Sequence, residues 1–217
     1  MPLTTLVDFP CAELPTPLAA PGIDLWFFDA WPAPRQAAES EAVQAVLARY
    51  VASPLPLRVV RAEGGKPRLV DAAIEFNVSH TGNAALIGVG DVALGVDLER
   101  CGRTRPVLEL ARRFFAAPEA IALEALDAAQ RPASFLDLWC CKEAVLKALG
   151  RGLAFGLERV VFGLDREGRV SQALQIAENP ISEWHVVRLQ PAPGFVGALA
   201  WRGAARDVRV CRTPPAV

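Results

Sequence analysis

Apolar residues along this chain come mostly as short runs of strand length, broken by Gly, Pro and Asp. One long stretch keeps a helical repeat. Residues 1–22 are rich in Pro and predict irregular chain. Ile23 to Phe28, bounded by Gly22 and Asp29, predicts a buried strand. Beyond Trp31-Pro32-Ala33-Pro34, the residues Ala42, Val43, Val46, Leu47 and Tyr50 recur at threes and fours. That spacing predicts a helix from about Ala37 to Val51, with Ser40 able to cap its start. Leu57 to Arg61 predicts a strand, and Gly64-Gly65-Lys66-Pro67 a loop. Three β-rich runs follow, Ile74–Ser79, Ala84–Val89 and Val92–Leu98, with Gly90-Asp91 placed as a tight hairpin turn between the last two. The period then turns helical over Pro106–Phe115, Pro118–Ala128 and a stretch from Pro132 or Ser134 to Leu149, stopped by Gly150 and Gly152. The last predicted strands are Arg159–Phe162, Val170–Ile176, Trp184–Leu189 and Val196–Trp201, with Asp165-Arg166-Glu167-Gly168 turning between the first two. This order describes an α+β fold in two halves, 1–101 and 102–217. No low-complexity linker separates them, so they are expected to pack as one unit.

Composition narrows the classes. The chain has 217 residues, 52% of them hydrophobic and 22% charged, which suits a globular protein and is too apolar for a disordered one. A core of this size needs no disulfide or structural metal. Net charge is -1, from 23 basic and 24 acidic residues, which argues against a nucleic-acid partner. Five cysteines (Cys11, Cys101, Cys140, Cys141, Cys211) with no C-x-x-C, and only His80 and His185, fit neither a disulfide framework nor a zinc cluster. The first residues lack the pattern of a signal peptide, and no apolar run nears the ~18 residues of a spanning helix. The expectation is a cytoplasmic protein with no membrane partner.

Three motifs carry candidate chemistry. In Gly95-Val96-Asp97-Leu98-Glu99, period two puts Asp97 and Glu99 on one face while Leu98 points inward. The pair is either a solvated strand end balanced by Arg100 and Arg103, or a site for a hard cation such as Mg²⁺, which takes one or two carboxylates plus water and phosphate oxygens. In Trp139-Cys140-Cys141-Lys142-Glu143-Ala144-Val145-Leu146-Lys147, helical spacing aligns Trp139, Glu143 and Lys147 in one row. An isolated Glu-x-x-x-Lys is an ordinary exposed pair. Here the row borders the apolar stripe of Phe135, Leu138, Leu146 and Leu149, which favours a cleft. In Phe76-Asn77-Val78-Ser79-His80-Thr81-Gly82, a strand runs into polar residues that either satisfy a local turn or bind an anionic oxygen. Neighbours on a strand point to opposite faces, so a Ser79–His80 catalytic pair is disfavoured, and His80 is taken as an anion binder.

In this order and spacing, with Asp97 seventeen residues beyond His80, the motifs resemble those of the 4′-phosphopantetheinyl transferases. Among these the chain resembles the surfactin-synthetase-activating type, which has two similar halves in one chain. The likeness runs from about Gly65 to Gly168 and includes Gly65-Lys66-Pro67, Arg112-Arg113-Phe114-Phe115 and Gly150-Arg151-Gly152-Leu153. It implies a pseudo-dimer of α+β halves with the active site in the cleft between them. The implied activity is Mg²⁺-dependent (or Mn²⁺-dependent) transfer of the phosphopantetheine arm of coenzyme A to a serine of an apo acyl or peptidyl carrier protein. The implied by-product is adenosine 3′,5′-bisphosphate, and the implied state a monomer.

Residue by residue, the resemblance makes Asp97, Glu99 and Glu143 the metal carboxylates. It sets Lys147 on the pyrophosphate, Ser79 and His80 on the 3′-phosphate, and Lys66 near the nucleotide. Glu143 is the first choice of proton acceptor. The chain departs from the family in one respect: the expected basic helix of the first half offers only Arg35 and Arg49, which shifts the phosphate grip toward His80, Lys66 and Arg35. Arg100, Arg103, Arg105, Arg112 and Arg113 form a basic cluster suited to an acidic carrier. A non-catalytic carrier-binding module of the same fold is the rival reading, disfavoured because all three carboxylates and Lys147 are present. A nucleotidyltransferase using a nucleoside triphosphate would call for a phosphate loop of the G-x-x-x-x-G-K-[ST] kind, which is missing here.

Overall fold

In the computed structural model the strands Gly22–Phe28, Ala84–Gly90 and Leu94–Arg100 are buried on both faces along most of their length, so they lack the polar face of a half-exposed sheet. The structure describes residues 3–10, 21–31, 40–52, 56–62, 64–70 and 72–213. In chain order the elements are β1 (Thr4–Val7), β2 (Gly22–Phe28), α1 (Glu41–Leu47), β3 (Val59–Arg61), β4 (Pro67–Leu69), β5 (Glu75–Thr81), β6 (Ala84–Gly90) and β7 (Leu94–Arg100). They continue with α2 (Val107–Phe114), α3 (Ala117–Ala125), α4 (Arg131–Ala148), β8 (Val160–Leu164), β9 (Val170–Ile176), β10 (Trp184–Gln190), β11 (Phe195–Arg202) and β12 (Asp207–Thr213). The fold is α+β.

Two four-stranded sheets, ordered β12-β2-β6-β5 and β1-β10-β11-β7, stack face to face. Ile23, Leu25, Phe27 and Leu86 of the first meet Leu94, Val96, Leu98, Leu199 and Trp201 of the second. Beyond the first sheet, Trp26, Phe76, Ile87 and Val89 pack under Val43, Val46 and Leu47 of α1. Beyond the second, Ala198 and Ala200 pack under α4, with α2, α3 and the β8–β9 ribbon around it. The layers run helix, sheet, sheet, helices. Connections repeat: β2-α1-β3-β4-β5-β6 parallels β7-α2-α3-α4-β8-β9-β10-β11, with β2 pairing β6 and β7 pairing β11, both antiparallel. The outermost strands are exchanged, as β1 joins β10 and β12 joins β2, both in parallel. Among the described residues no helix is long and apolar enough to cross a membrane.

Four local expectations are corrected. Gly90-Asp91 does not close a hairpin; the two-residue turn is Gly82-Asn83, with Thr81 opposite Ala84, and β7 crosses to the other sheet. The reason is steric: a Cβ at Gly90 would stand 2.9 Å from Leu94 Cδ2, so the bare backbone of β6 lets β7 lie over it rather than beside it. Thr4–Val7, within the stretch expected to be irregular, is a strand, and so is Pro67–Leu69, expected as loop. Strand β12 was not expected from local pattern. The expected helix from Ala37 is described only from Glu41, where Ser40 Oγ accepts from the Val43 N–H at 3.4 Å. Residues 37–39 lie outside the described ones.

Helix α4 is enclosed for most of its circumference. From Phe135 to Ala148, the residues that reach partial exposure are Trp139, Glu143 and Lys147, the row expected to face a cleft.

Candidate active site

The site forms where the edge strand of each sheet meets α4. On β7, Leu94, Val96 and Leu98 face the first sheet, so Gly95, Asp97 and Glu99 share the face toward α4. Gly95 sets the distance between strand and helix. A Cβ there would overlap the backbone at Ala144 O and Ala148 N and lie 2.8 Å from Lys147 Cβ. This close approach lets Lys147 Nζ reach Asp97 Oδ1 at 2.6 Å, Ser79 Oγ at 3.1 Å and the Val96 carbonyl at 3.1 Å. Asp97 is 6% exposed; its Oδ1 also accepts from Ser79 Oγ at 2.9 Å, while its Oδ2 is buried with no hydrogen-bond partner. Glu99 accepts from Arg105 at 2.7 Å, with the Thr81 hydroxyl 3.5 Å away.

Charge is concentrated here. Burial pushes the Glu143 carboxyl up to about 7, Asp97 and Glu99 add to the rise, and Lys147 opposes it. Burial pulls the Lys147 ammonium down, but the charge and hydrogen bond of Asp97, with Glu143, outweigh it and leave the pKa above the ordinary lysine value. Among the described residues no three ligating side chains stand gathered closely enough to hold a metal ion as they are. The unpartnered Asp97 Oδ2, an all-oxygen donor set and a carboxyl at Glu143 raised by burial and by its acidic neighbours nevertheless fit a hard divalent cation shared with phosphate oxygens.

The remaining expected residues divide. His80 is exposed, on the opposite face of β5 from buried Ser79. The Ser79 hydroxyl points inward, a departure from its expected part in an outward anion site. Lys66 donates to the Leu94 carbonyl at 2.8 Å, and burial lowers its pKa to about 8. Arg35 lies outside the described residues. Of the basic cluster, Arg105 is held by Glu99, Arg100 donates to Asn83 at 2.8 Å, and Arg112 pairs with Glu124. Arg103, Arg112 and Arg113 are exposed. A cavity of about 240 Å³ lies at the other end of α4, beside Asp137, whose carboxylate accepts from Arg188 at 2.8 Å and from Val170 N at 2.9 Å.

Sequence reasoning missed Lys142 and Glu119. Lys142, next to Glu143 in the motif, turns the other way and is fully buried. Its ammonium meets Glu119 Oε2 at 2.6 Å, the Leu157 carbonyl at 3.1 Å and the Val160 carbonyl, and lies 4.8 Å from the Phe115 ring centre. Glu119 also accepts from Phe162 N at 2.9 Å and Ala116 N at 3.1 Å. Burial lowers the lysine and raises the glutamate, while their mutual charge works against both shifts. A charged residue three places along a helix carries no local sign that it is enclosed. Cys140 and Cys141 are buried thiols pushed well up by burial, with Asp97 adding to the rise at Cys140, whose Sγ donates to the Val196 carbonyl at 3.8 Å.

Residues 93–200 match the profile of the 4′-phosphopantetheinyl transferase superfamily. The 4′-phosphopantetheinyl transferase Sfp of Bacillus subtilis (strain 168) is 31% identical over 156 residues, 70% of this chain and 67% of Sfp. The chain belongs to the 4′-phosphopantetheinyl transferase superfamily. Within the superfamily it is also similar to HetI of Nostoc sp., 34% identical over 64% of this chain and 58% of HetI. A putative 4′-phosphopantetheinyl transferase of Synechocystis sp. is 41% identical over 55% of this chain and 51% of that protein. The matches thus span about half to two thirds of these relatives' own lengths. The superfamily profile takes in Asp97, Glu99, Glu143 and Lys147, while Ser79 and His80 precede it.

Proposed function

We propose that this chain transfers the 4′-phosphopantetheine group of coenzyme A to a serine of an apo acyl or peptidyl carrier protein, releasing adenosine 3′,5′-bisphosphate. It acts as a cytoplasmic monomer of two halves, one built on the β12-β2-β6-β5 sheet and one on the β1-β10-β11-β7 sheet. The division expected at 101/102 thus moves to the loop before β7, the terminal strands are exchanged, and the active site lies between the halves. The observation that carries this is the cluster of Asp97, Glu143 and Lys147, in which a buried carboxylate oxygen is left unpartnered beside a lysine held charged. The catalytic reading is preferred to a binding module because all three carboxylates and the lysine are present in the chain, with Lys147 in contact with Asp97.

The serine oxygen attacks the β-phosphorus; the new P–O bond replaces the bond to the α-phosphate oxygen, which leaves with the bisphosphate. Lys147 opposes the charge growing on that leaving group. Glu143 accepts the serine proton directly or through a water; its carboxyl stands at about 7 without a metal and would be lower beside a bound cation, toward the ionised form that can take a proton. Asp97, Glu99 and Glu143 would hold the divalent cation. When bound, it neutralises phosphate charge and aligns the reacting groups. His80 takes the 3′-phosphate, with Lys66 and Arg35 toward the nucleotide. Exposed Arg103, Arg112 and Arg113 meet the acidic carrier.

The test is mass spectrometry of candidate apo carriers incubated with coenzyme A and Mg²⁺. The expected result is a gain of one phosphopantetheine on a carrier serine, abolished by excess EDTA. Unmodified carriers of all three kinds (fatty acid, polyketide, peptide) would overturn the reading, and full turnover in EDTA would remove the metal from it.

A further inference from the structure

Strands β5 and β7 are edge strands of different sheets, and no backbone ladder joins them. Side chains bridge them instead. Asn77 Oδ1 accepts from Val96 N at 2.8 Å and Ser79 Oγ accepts from Leu98 N at 3.2 Å, so alternate residues of β5 take alternate amides of β7. Ser79 goes further. Its hydroxyl donates to Asp97 Oδ1 at 2.9 Å and receives Lys147 Nζ at 3.1 Å. A serine hydroxyl has one donor and two acceptor sites, and these three bonds fill all of them. Lys147 likewise directs its three N–H donors at Asp97, Ser79 and the Val96 carbonyl. Asp97 is thereby turned so that Oδ1 takes both internal bonds and Oδ2 takes none.

We infer that Ser79 is a positioning residue, which fixes the Asp97 carboxylate and the Lys147 ammonium against each other and makes no contact with the coenzyme's 3′-phosphate. It joins three elements, β5, β7 and α4, at one oxygen of a residue that is 6% exposed. The adjacent His80, on the exposed face, is left with the phosphate. This deepens the proposed transferase function and rests on it.

The experiment compares Ser79→Ala and Ser79→Thr with the parent. It measures kcat and KM for coenzyme A and for 3′-dephospho-coenzyme A with one apo carrier. It also measures the affinity for both by calorimetry without carrier, and the thermal midpoint. Ser79→Ala should lower kcat by about 10²-fold, the scale for a misplaced reacting group. KM and calorimetric affinity should stay within about twofold, with equal losses on both substrates. Ser79→Thr, which keeps the hydroxyl, should restore most of kcat. If the alanine variant does not fold, Ser79→Cys, nearly isosteric with a weak donor, should show the same kcat-selective loss. Weakened coenzyme A binding with the dephospho substrate spared would overturn the inference in favour of a phosphate contact. A drop in thermal midpoint with no separation of kcat from KM would overturn it in favour of a structural role. If the parent shows no transfer, the functional reading fails by itself. Calorimetry still decides the inference, because a loss of coenzyme A affinity beyond about twofold in Ser79→Ala, with binding of 3′-dephospho-coenzyme A spared, overturns it.

Discussion

Gly95→Ala isolates how the fold sets the site, because the added methyl touches no substrate. Built on the strand, its Cβ overlaps Ala144 O and Ala148 N and lies 2.8 Å from Lys147 Cβ. The carbon–carbon optimum is about 3.5–4.0 Å, so the nearest side-chain atom alone must retreat by roughly 1 Å. The other two obstacles are helix backbone, which no rotamer change relieves. Helix α4 must therefore shift off β7. Overpacking of this kind costs about 1–3 kcal/mol of stability, a minor part of the ~5–15 kcal/mol typical of a domain, so the variant should fold. Activity should suffer more. Lys147 Nζ sits 2.6 Å from Asp97 Oδ1, and displacement by about 1 Å is worth about 10²-fold in rate. The assay is kcat/KM for carrier modification beside urea unfolding of the same preparation. A parent-like rate in a folded Gly95→Ala variant would refute the claim that this contact positions Lys147.

Two further outcomes follow from the charges. Glu119→Ala leaves the Lys142 ammonium buried and uncompensated, which should cost about 3–5 kcal/mol in urea unfolding, whereas Glu119→Leu with Lys142→Met should recover much of it; equal stability of all three chains would sink the buried-pair account. For Glu143, the folded carboxyl at about 7 stands above its ordinary 4.5, so between those values the folded state keeps a proton that the unfolded chain releases. The Glu143 contribution to stability should be greatest below that window and be lost as pH rises through it, so in EDTA the parent should lose ground to Glu143→Gln over the same range. A difference that is flat with pH, or rises toward the parent, would contradict the assignment.

Local pattern carried the chemistry of β7 and α4. Period two alone put Asp97 and Glu99 on one face with Leu98 opposite, and period 3.6 alone put Trp139, Glu143 and Lys147 in a row; both hold in the structure. Strand β2 and the three strands from Glu75 to Arg100 were legible for the same reason, as was the helical stretch from Val107 to Ala148. The partner of each face was not. Strands β1 and β12 pair in parallel with strands far away in the chain, and such pairing leaves no turn or local alternation to find. The crossing of β7 to the second sheet depends on bare glycines under Leu94 and Val96, and Gly88 and Gly90 could equally have marked loops. Lys142 and Glu143 are neighbours in sequence with opposite fates, because the residues that enclose Lys142 come from α3 and from the chain around Leu157 and Val160. The direction of the Ser79 hydroxyl follows from the same cause. Sequence determined which side chains share a face, since backbone periodicity is local. Only tertiary structure decided what each face meets, because that depends on contacts between residues as distant as Ser79 and Lys147.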